Sequence, residues 1–207
     1  MKPGTPRHEP DGEYDVLLTI ARADFGSFII QHYIRSLTWV VASHVAIVIL
    51  LGSVWIRVGS DLGYSFVSAL AGIGWSALGF VCIIPVHEAV HGAVYWVLGA
   101  KDIRYGISIR NMYAFAIAHM HVVSARELVW VGIAPFLVLT SLLTGCVAVL
   151  PEASFIFVGT IVLHTLGCAG DWTMLNYLWL NRKKELYMYD DADEGVMTYL
   201  AIRERER

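Results

Sequence analysis

Charged residues are scarce in this sequence: they make up 16% of its 207 residues, whereas 57% are hydrophobic. A soluble domain carries about a quarter charged residues, and the deficit here falls in long apolar runs. The composition therefore excludes an ordinary soluble domain and predicts an integral membrane protein. The net charge of −3 shows no excess of positive charge, so we expect no nucleic-acid partner.

Cysteines are also few, and all three (Cys82, Cys146 and Cys168) fall inside apolar runs. Their odd number and the lack of zinc-finger spacing argue against a disulfide framework, and packing as small apolar residues is the simpler role. A cleavable signal peptide is not expected, because the first 35 residues are mixed and polar.

Long apolar segments predict an all-α membrane protein, a bundle of about four transmembrane helices. The second segment has 37 residues, and a helix of that length would measure about 55 Å against a hydrocarbon core of ~30 Å. Such a helix must kink, tilt or end in a second helix, and Pro85 is the expected place for a break, because proline disrupts helical hydrogen bonding. The predicted spans cover residues 36–56, 64–100, 128–150 and 153–180.

The distribution of basic residues predicts the orientation of the chain in the membrane. They cluster before the first span, between the second and third spans, and after the fourth, while the other two connections hold only Arg57. The positive-inside rule then places both termini and the 101–127 connection in the cytoplasm of a multi-pass cell-membrane protein. The residues concerned are Arg22, Arg35, Lys101, Arg104, Arg110, Arg126, Arg182, Lys183 and Lys184.

The predicted membrane core comprises residues 36–181, and two segments lie outside it. Residues 1–35 are expected to form a proline-rich disordered tail and an amphipathic helix that begins near Tyr14. Residues 182–207 are predicted to be a charged, solvated cytoplasmic tail with a short helix from Val196. Between the second and third spans, apolar residues alternate on both sides of Asn111, which predicts a short cytoplasmic β-hairpin. This hairpin is either a solvated connector or an edge that receives an extended peptide.

The sequence His87-Glu88-Ala89-Val90-His91 carries the chemistry. H-E-x-x-H on a helix places two imidazoles one turn apart on one face, which suits Zn²⁺, with the glutamate as general base. A charged side chain inside a membrane span costs free energy, so it is retained for a function. We therefore predict that His87 and His91 bind zinc and that Glu88 is catalytic.

The predicted third zinc ligand is Asp171, the only other carboxylate within the four apolar segments. His91 lies 10 residues before Lys101, and Asp171 lies 11 residues before Arg182. These spacings correspond to about 15 and 16 Å of helix, so the two side chains share one depth on the cytoplasmic side. Three protein ligands leave a fourth position for water, as in catalytic zinc sites.

Four other histidines are alternatives for the third ligand: His44, His119, His121 and His164. His164 lies two helical turns before Asp171 on the same face, so it is expected to neighbour the site or to pack. His44 lies at a similar depth, where a lone histidine more often packs with its ring nitrogens hydrogen-bonded.

These motifs resemble those of two groups of membrane proteins. An H-E-x-x-H span followed by a later aspartate is similar to site-2-type intramembrane metalloproteases. The order H-E-x-x-H-Gly92, a strand-rich connection, Ala134-Pro135 and Gly170-Asp171 resembles more closely a family of small bacterial and archaeal membrane proteins described as zincin peptidases. The resemblance covers residues 65–185 and implies a zinc peptidase. Trp172 follows Asp171 where site-2 proteases have Leu-Asp-Gly.

The predicted function is zinc-dependent hydrolysis of peptide bonds in membrane-associated or transmembrane substrates. The partners would be the lipid bilayer and a peptide or transmembrane protein, and a homo-oligomer is left open. The alternative is a non-proteolytic membrane protein, a transporter subunit or scaffold, with a structural metal. Only the first function needs Glu88 as a base.

Overall fold

The computed structural model describes residues 14–108 and 113–202. The disordered tail predicted for residues 1–12 and the hairpin turn predicted at Asn111 lie outside these ranges. Six α-helices and six β-strands are joined by short helical turns at Arg22–Asp24, Ile30–Ile34 and Pro151–Ala153. The helices are α1 (Phe25–Ile29), α2 (Trp39–Asp61), α3 (Phe66–Val97), α4 (Ala125–Val149), α5 (Ser154–Gly167) and α6 (Ala169–Leu180). The strands are β1 (Tyr14–Ala21), β2 (Ile103–Ser108), β3 (Tyr113–Ala118), β4 (Val123–Ser124), β5 (Leu186–Asp191) and β6 (Val196–Ile202).

Three helices, α2, α3 and α4, are long and apolar enough to cross a membrane, and α5 with α6 adds a fourth if the bent pair is one span. Within an apolar stretch of 18 residues in each of the three long helices, only 17% of α2, 11% of α3 and 28% of α4 is buried. So much exposed apolar surface on long helices matches lipid rather than water. The chain is therefore a multi-pass membrane protein of three to four spans.

Helix α3 runs as one α-helix from Phe66 to Val97 and includes Pro85 without a break. The prediction of a second helix after Pro85 is therefore wrong, and the kink there stays a prediction. At 1.5 Å per residue the helix is about 48 Å long, so it exceeds the ~30 Å hydrocarbon core. Gly72 and Gly79 let α5 approach α3, because a Cβ at either position would collide with Phe155 or Thr160.

The fourth predicted span is not one continuous helix. Helices α5 and α6 meet at Cys168 with a bend of 44°. The Cys168 N–H is shared between the carbonyls of His164 (3.0 Å) and Thr165 (3.2 Å), which tightens the last turn of α5. The bend places Asp171 in the first turn of a new helix.

The two ends of the described chain pair with each other in an antiparallel sheet of order β1-β6-β5-β4. Tyr14 lies opposite Ile202 in the register, and Val123 opposite Met188. The amphipathic helix predicted from Tyr14 is therefore wrong for residues 14–21, where the chain is a strand. The helix predicted from Val196 is wrong as well, and the label all-α omits this sheet. The backbone hydrogen bonds of β1 are made with β6, which lies about 180 residues later in the chain. Local hydrophobic periodicity does not reveal partners that are so distant in sequence.

The C-terminal segment is folded against the helices rather than solvated along its length. Asp190 and Asp191, part of the predicted solvated acidic run, are each 6% exposed. Strands β5 and β6 supply Met188, Tyr199 and neighbouring residues to an apolar core that also includes Leu128 of α4. The expectation of a solvated tail therefore fails for strands β5 and β6, whereas Asp193 and Glu194 in the turn between them are exposed.

Strands β2 and β3 form a separate two-stranded antiparallel sheet between α3 and α4, with Arg104 opposite Ile117. Strand β3 packs against α3. The ring of Tyr105 covers Gly92 so closely that a Cβ at this position would collide with the Tyr105 hydroxyl. The glycine that follows the H-E-x-x-H sequence thus allows the sheet to lie directly on the metal-motif helix.

Candidate metal centre

Helix α3 presents His87 and His91 on one face, with ring centroids 4.7 Å apart. Their Nε2 atoms lie 3.0 Å from each other. The Nδ1 atom of His91 is 2.8 Å from the carbonyl oxygen of Val131 on α4, and a carbonyl only accepts. Nδ1 of His91 therefore carries the proton, and the lone pair of its Nε2 points toward His87 and Asp171.

Asp171 reaches the same point from α6. Its Oδ2 is 3.4 Å from His87 Nε2, and its Oδ1 is 3.4 Å from His91 Nε2. The residue is 9% exposed, and its place in the first turn of α6 puts the carboxylate near the partial positive charge of the helix N-terminus. The bend at Cys168 thus has two effects on Asp171. It turns the carboxylate toward the two histidines, and it places the carboxylate at a helix N-terminus that stabilises its negative charge.

The three side chains fit a zinc ion. One donor atom from each of His87, His91 and Asp171 lies within 4.8 Å of the others. The two Nε2 atoms are 3.0 Å apart, and each lies 3.4 Å from a different carboxylate oxygen of Asp171. Donor atoms of a tetrahedral zinc site lie about 3.3–3.6 Å apart when the metal–ligand distances are about 2.0–2.2 Å. Two imidazoles and one carboxylate are also the ligand set of open, catalytic zinc sites.

Glu88 follows His87 on α3, and its carboxylate lies beside the backbone of Ala116 in β3. Both residues line a cavity of about 640 Å³ that also contains His87, His91 and Asp171. The cavity therefore joins the three candidate metal-binding side chains to a further carboxylate, Glu88, and to the backbone of a strand.

Two further charged residues of this cavity were missed by the sequence reasoning. Arg22, just after β1, and Asp190 on β5 both line it. Burial raises the pKa of the Asp190 carboxyl to about 7, and the nearby Arg22 guanidinium offsets part of that rise. No local sequence signal could have placed them at the cavity, because they arrive there through the pairing of the chain ends.

The alternative ligands lie in three different environments. His164 is adjacent, with its Nε2 3.0 Å from Nδ1 of His87. His44 is bonded through both ring nitrogens, to the Tyr33 hydroxyl (2.6 Å) and to the carbonyl of Thr165 (2.8 Å). It stacks on Trp172, so the packed role considered for it agrees with its contacts.

His119 lies in a separate cluster with Asp191 and Asp193. Its Nδ1 accepts the N–H of Ala192 at 3.0 Å, and Asp193 pairs with Arg104 at 2.7 Å. These contacts belong to the turn between β5 and β6. His121 is in none of the possible metal clusters found among the described residues.

The fold and the site together define a class: membrane proteins in which a spanning helix carries an H-E-x-x-H metal motif. The family model described as "Putative zincin peptidase" matches residues 80–186, just over half of the chain, and the chain belongs to this family. Zinc is the cofactor that the family implies, and the family indicates a metallopeptidase. Neither the curated proteins nor the solved structures gave a match.

Proposed function

We propose that this protein is a membrane-embedded zinc peptidase that hydrolyses peptide bonds of membrane-associated or transmembrane substrates. The observation that carries the proposal is the convergence of His87, His91 and Asp171 at 3.0–3.4 Å beside Glu88, within one cavity. A metal held only for stability would need neither this cavity nor a carboxylate that faces it.

His87 and His91 would hold the zinc through Nε2, and Asp171 would hold it through its carboxylate. When bound, zinc would supply Lewis-acid activation of the scissile carbonyl and of the attacking water. Glu88 accepts the proton of the attacking water and delivers it to the leaving amine.

Strand β3 offers the substrate a place to bind. The His119 N–H bonds to the carbonyl of Asp102 at 2.8 Å. Alternation along the register therefore makes Tyr105 and Ala116 a pair that is not hydrogen-bonded across the sheet. Alternation then directs the backbone groups of Ala114 to the same free edge. An extended peptide paired with this edge would run past Glu88 and the metal, as in strand addition.

The site is proposed to face the cytoplasm. His91 lies six residues before the end of α3, and Asp171 lies nine residues before the end of α6. These spacings correspond to about 9 and 14 Å from the ends nearest β2 and β5. The basic connections lie at the same ends, so the positive-inside rule assigns them to the cytoplasm.

Glu88→Gln tests the mechanism. The amide has nearly the shape of the carboxylate but cannot accept the proton of water, so we expect loss of cleavage with full zinc content. The assay is the appearance of new peptide termini, by mass spectrometry, when purified protein in detergent meets a mixed library of apolar peptides. Zinc is measured in the same samples.

Glu152→Gln is the matched control, because Glu152 lies in the 151–153 turn, away from the motif. It should cleave as the wild type does. An active Glu88→Gln protein would contradict the proposed mechanism. Zinc binding by a wild-type protein that cleaves nothing would favour the structural-metal alternative.

A further inference from the structure

His164 is a buried histidine that the proposed catalytic roles do not use. It lies on α5 at 2% exposure, and its Nε2 is 3.0 Å from Nδ1 of His87. The two rings meet at 69°, with centroids 5.2 Å apart. The contact is directed at the ring nitrogen that would face away from a zinc ion bound through Nε2 of His87.

The other ring nitrogen of His164 has no hydrogen-bond partner among the described residues. His44 shows what a packed histidine looks like in this bundle: it is 1% exposed, and both of its nitrogens are bonded. A buried polar atom without a partner is costly, so a residue retained only for packing would be better replaced by an apolar one. Because Nδ1 of His164 has no partner in the described part of the chain, packing alone does not account for this histidine. The contact of its Nε2 with His87 does.

The protonation states follow from the contacts. An Nε2 that binds a metal carries no proton, so Nδ1 of a neutral His87 carries it and must donate. The acceptor within reach is Nε2 of His164. His164 then carries its own proton on Nδ1, the atom without a partner. The Sγ of Cys168, 3.7 Å from the same Nε2, is the other polar atom beside it.

We infer that His164 is a positioning residue that fixes the tautomer and ring orientation of His87 for zinc. This inference rests on the proposed zinc site. The carbonyl of Val131 does the same for His91, so each metal-binding imidazole donates from Nδ1 to a fixed acceptor. The bend at Cys168 serves both sides of the site: the last turns of α5 bring His164 to His87, and the first turn of α6 brings Asp171 to the metal.

The test compares His164→Gln with His164→Asn. The glutamine oxygen reaches about as far as Nε2 of histidine, while asparagine has the same amide one methylene shorter. The dissociation constant for zinc is measured by competition with a chelator, on full-length protein in detergent. Loss of such an outer hydrogen bond typically weakens metal binding about 10- to 100-fold.

We expect this weakening in His164→Asn and a near wild-type constant in His164→Gln. Cobalt-substituted protein gives a second readout, since its absorption spectrum should shift in the asparagine variant only. His44→Gln is the control for disturbing a buried histidine, and it should lower thermal stability while zinc affinity stays unchanged.

Equal zinc affinity in wild type, His164→Gln and His164→Asn would overturn the inference, as would equal weakening in both variants. A wild-type protein that binds no zinc would instead overturn the proposed function, so the two failures are distinguishable.

Discussion

At the residue scale, the cost of charge in an apolar environment explains what the sequence could reveal. Only two carboxylates fall within the predicted spans, and counting residues from the basic anchors predicted that His91 and Asp171 share one depth. The structure brings them to 3.4 Å from each other. His164 was expected either to neighbour the site or to pack, and it contacts His87 directly. The sequence could not decide between the two, because a straight fourth helix would hold His164 two turns away from Asp171.

Asp190 gives a prediction on pH. Its pKa is raised by burial to about 7, above the value near 3.9 of an unfolded aspartate. A raised pKa means that the folded protein holds the proton more tightly, so this group's contribution to stability is full below about pH 4 and is lost as the pH rises through 7. Asp190→Asn should remove this loss and should be more stable than wild type at pH 8 but not at pH 4.5.

The measurement is the difference between the thermal midpoints of Asp190→Asn and wild type in detergent from pH 4.5 to 8. Asp193→Asn is the control, because the exposed Asp193 has its pKa lowered by its hydrogen bond to Arg104. Asp193 therefore stays ionised throughout this pH range, and the midpoint difference between Asp193→Asn and wild type should not change from pH 4.5 to 8. Parallel midpoint curves for Asp190→Asn and wild type would show that Asp190 ionises normally in the folded protein.

At the element scale, hydrophobic periodicity predicted the long helices but not the strands whose pairing partners lie far away in the sequence. Apolar residues between Tyr14 and Ile29 fit a helical spacing, yet residues 14–21 are a strand because β6 supplies hydrogen-bond partners. The bend at Cys168 was missed for a related reason: an apolar run looks the same whether it forms one helix or two.

The free edge of β3 can be tested with Ala114→Pro. Proline removes the N–H proposed to bind the substrate backbone and leaves the bonds to β2 intact, since edge positions tolerate proline. One hydrogen bond contributes roughly 0.5–1.5 kcal/mol, so kcat/KM should fall about 3- to 10-fold, mainly through KM.

Steady-state cleavage of one library-derived peptide provides the measurement for Ala114→Pro. Ala114→Ser keeps the backbone N–H and serves as the control, and zinc content should be unchanged in both variants. Unchanged KM in Ala114→Pro would show that the substrate does not pair with this edge.

At the scale of the whole molecule, the sheet joins β1 near the N-terminal end of the described chain to β6 near its C-terminal end. Both ends of the described chain therefore lie next to each other. The long apolar helices α2, α3 and α4 were predictable from the apolar runs of the sequence, whereas the break between α5 and α6 was not. The sheet was not, because its four strands come from three distant parts of the sequence.

The orientation is tested by labelling single cysteines from outside the cell with a membrane-impermeant maleimide. In a variant without the native cysteines, Ser60→Cys near the α2–α3 turn should be labelled on intact cells. Glu194→Cys in the exposed β5–β6 turn should be labelled only after the membrane is opened. The reverse pattern would place the site on the outer side.

The central claim is that His87, His91 and Asp171 together bind one catalytic zinc ion. The most direct test is the zinc content of purified wild-type, His87→Ala, Asp171→Ala and His119→Ala proteins. We predict about one zinc per chain in wild type and His119→Ala, and a large loss in His87→Ala and Asp171→Ala, because a site with two remaining ligands binds zinc weakly. Full zinc content in Asp171→Ala would contradict the claim.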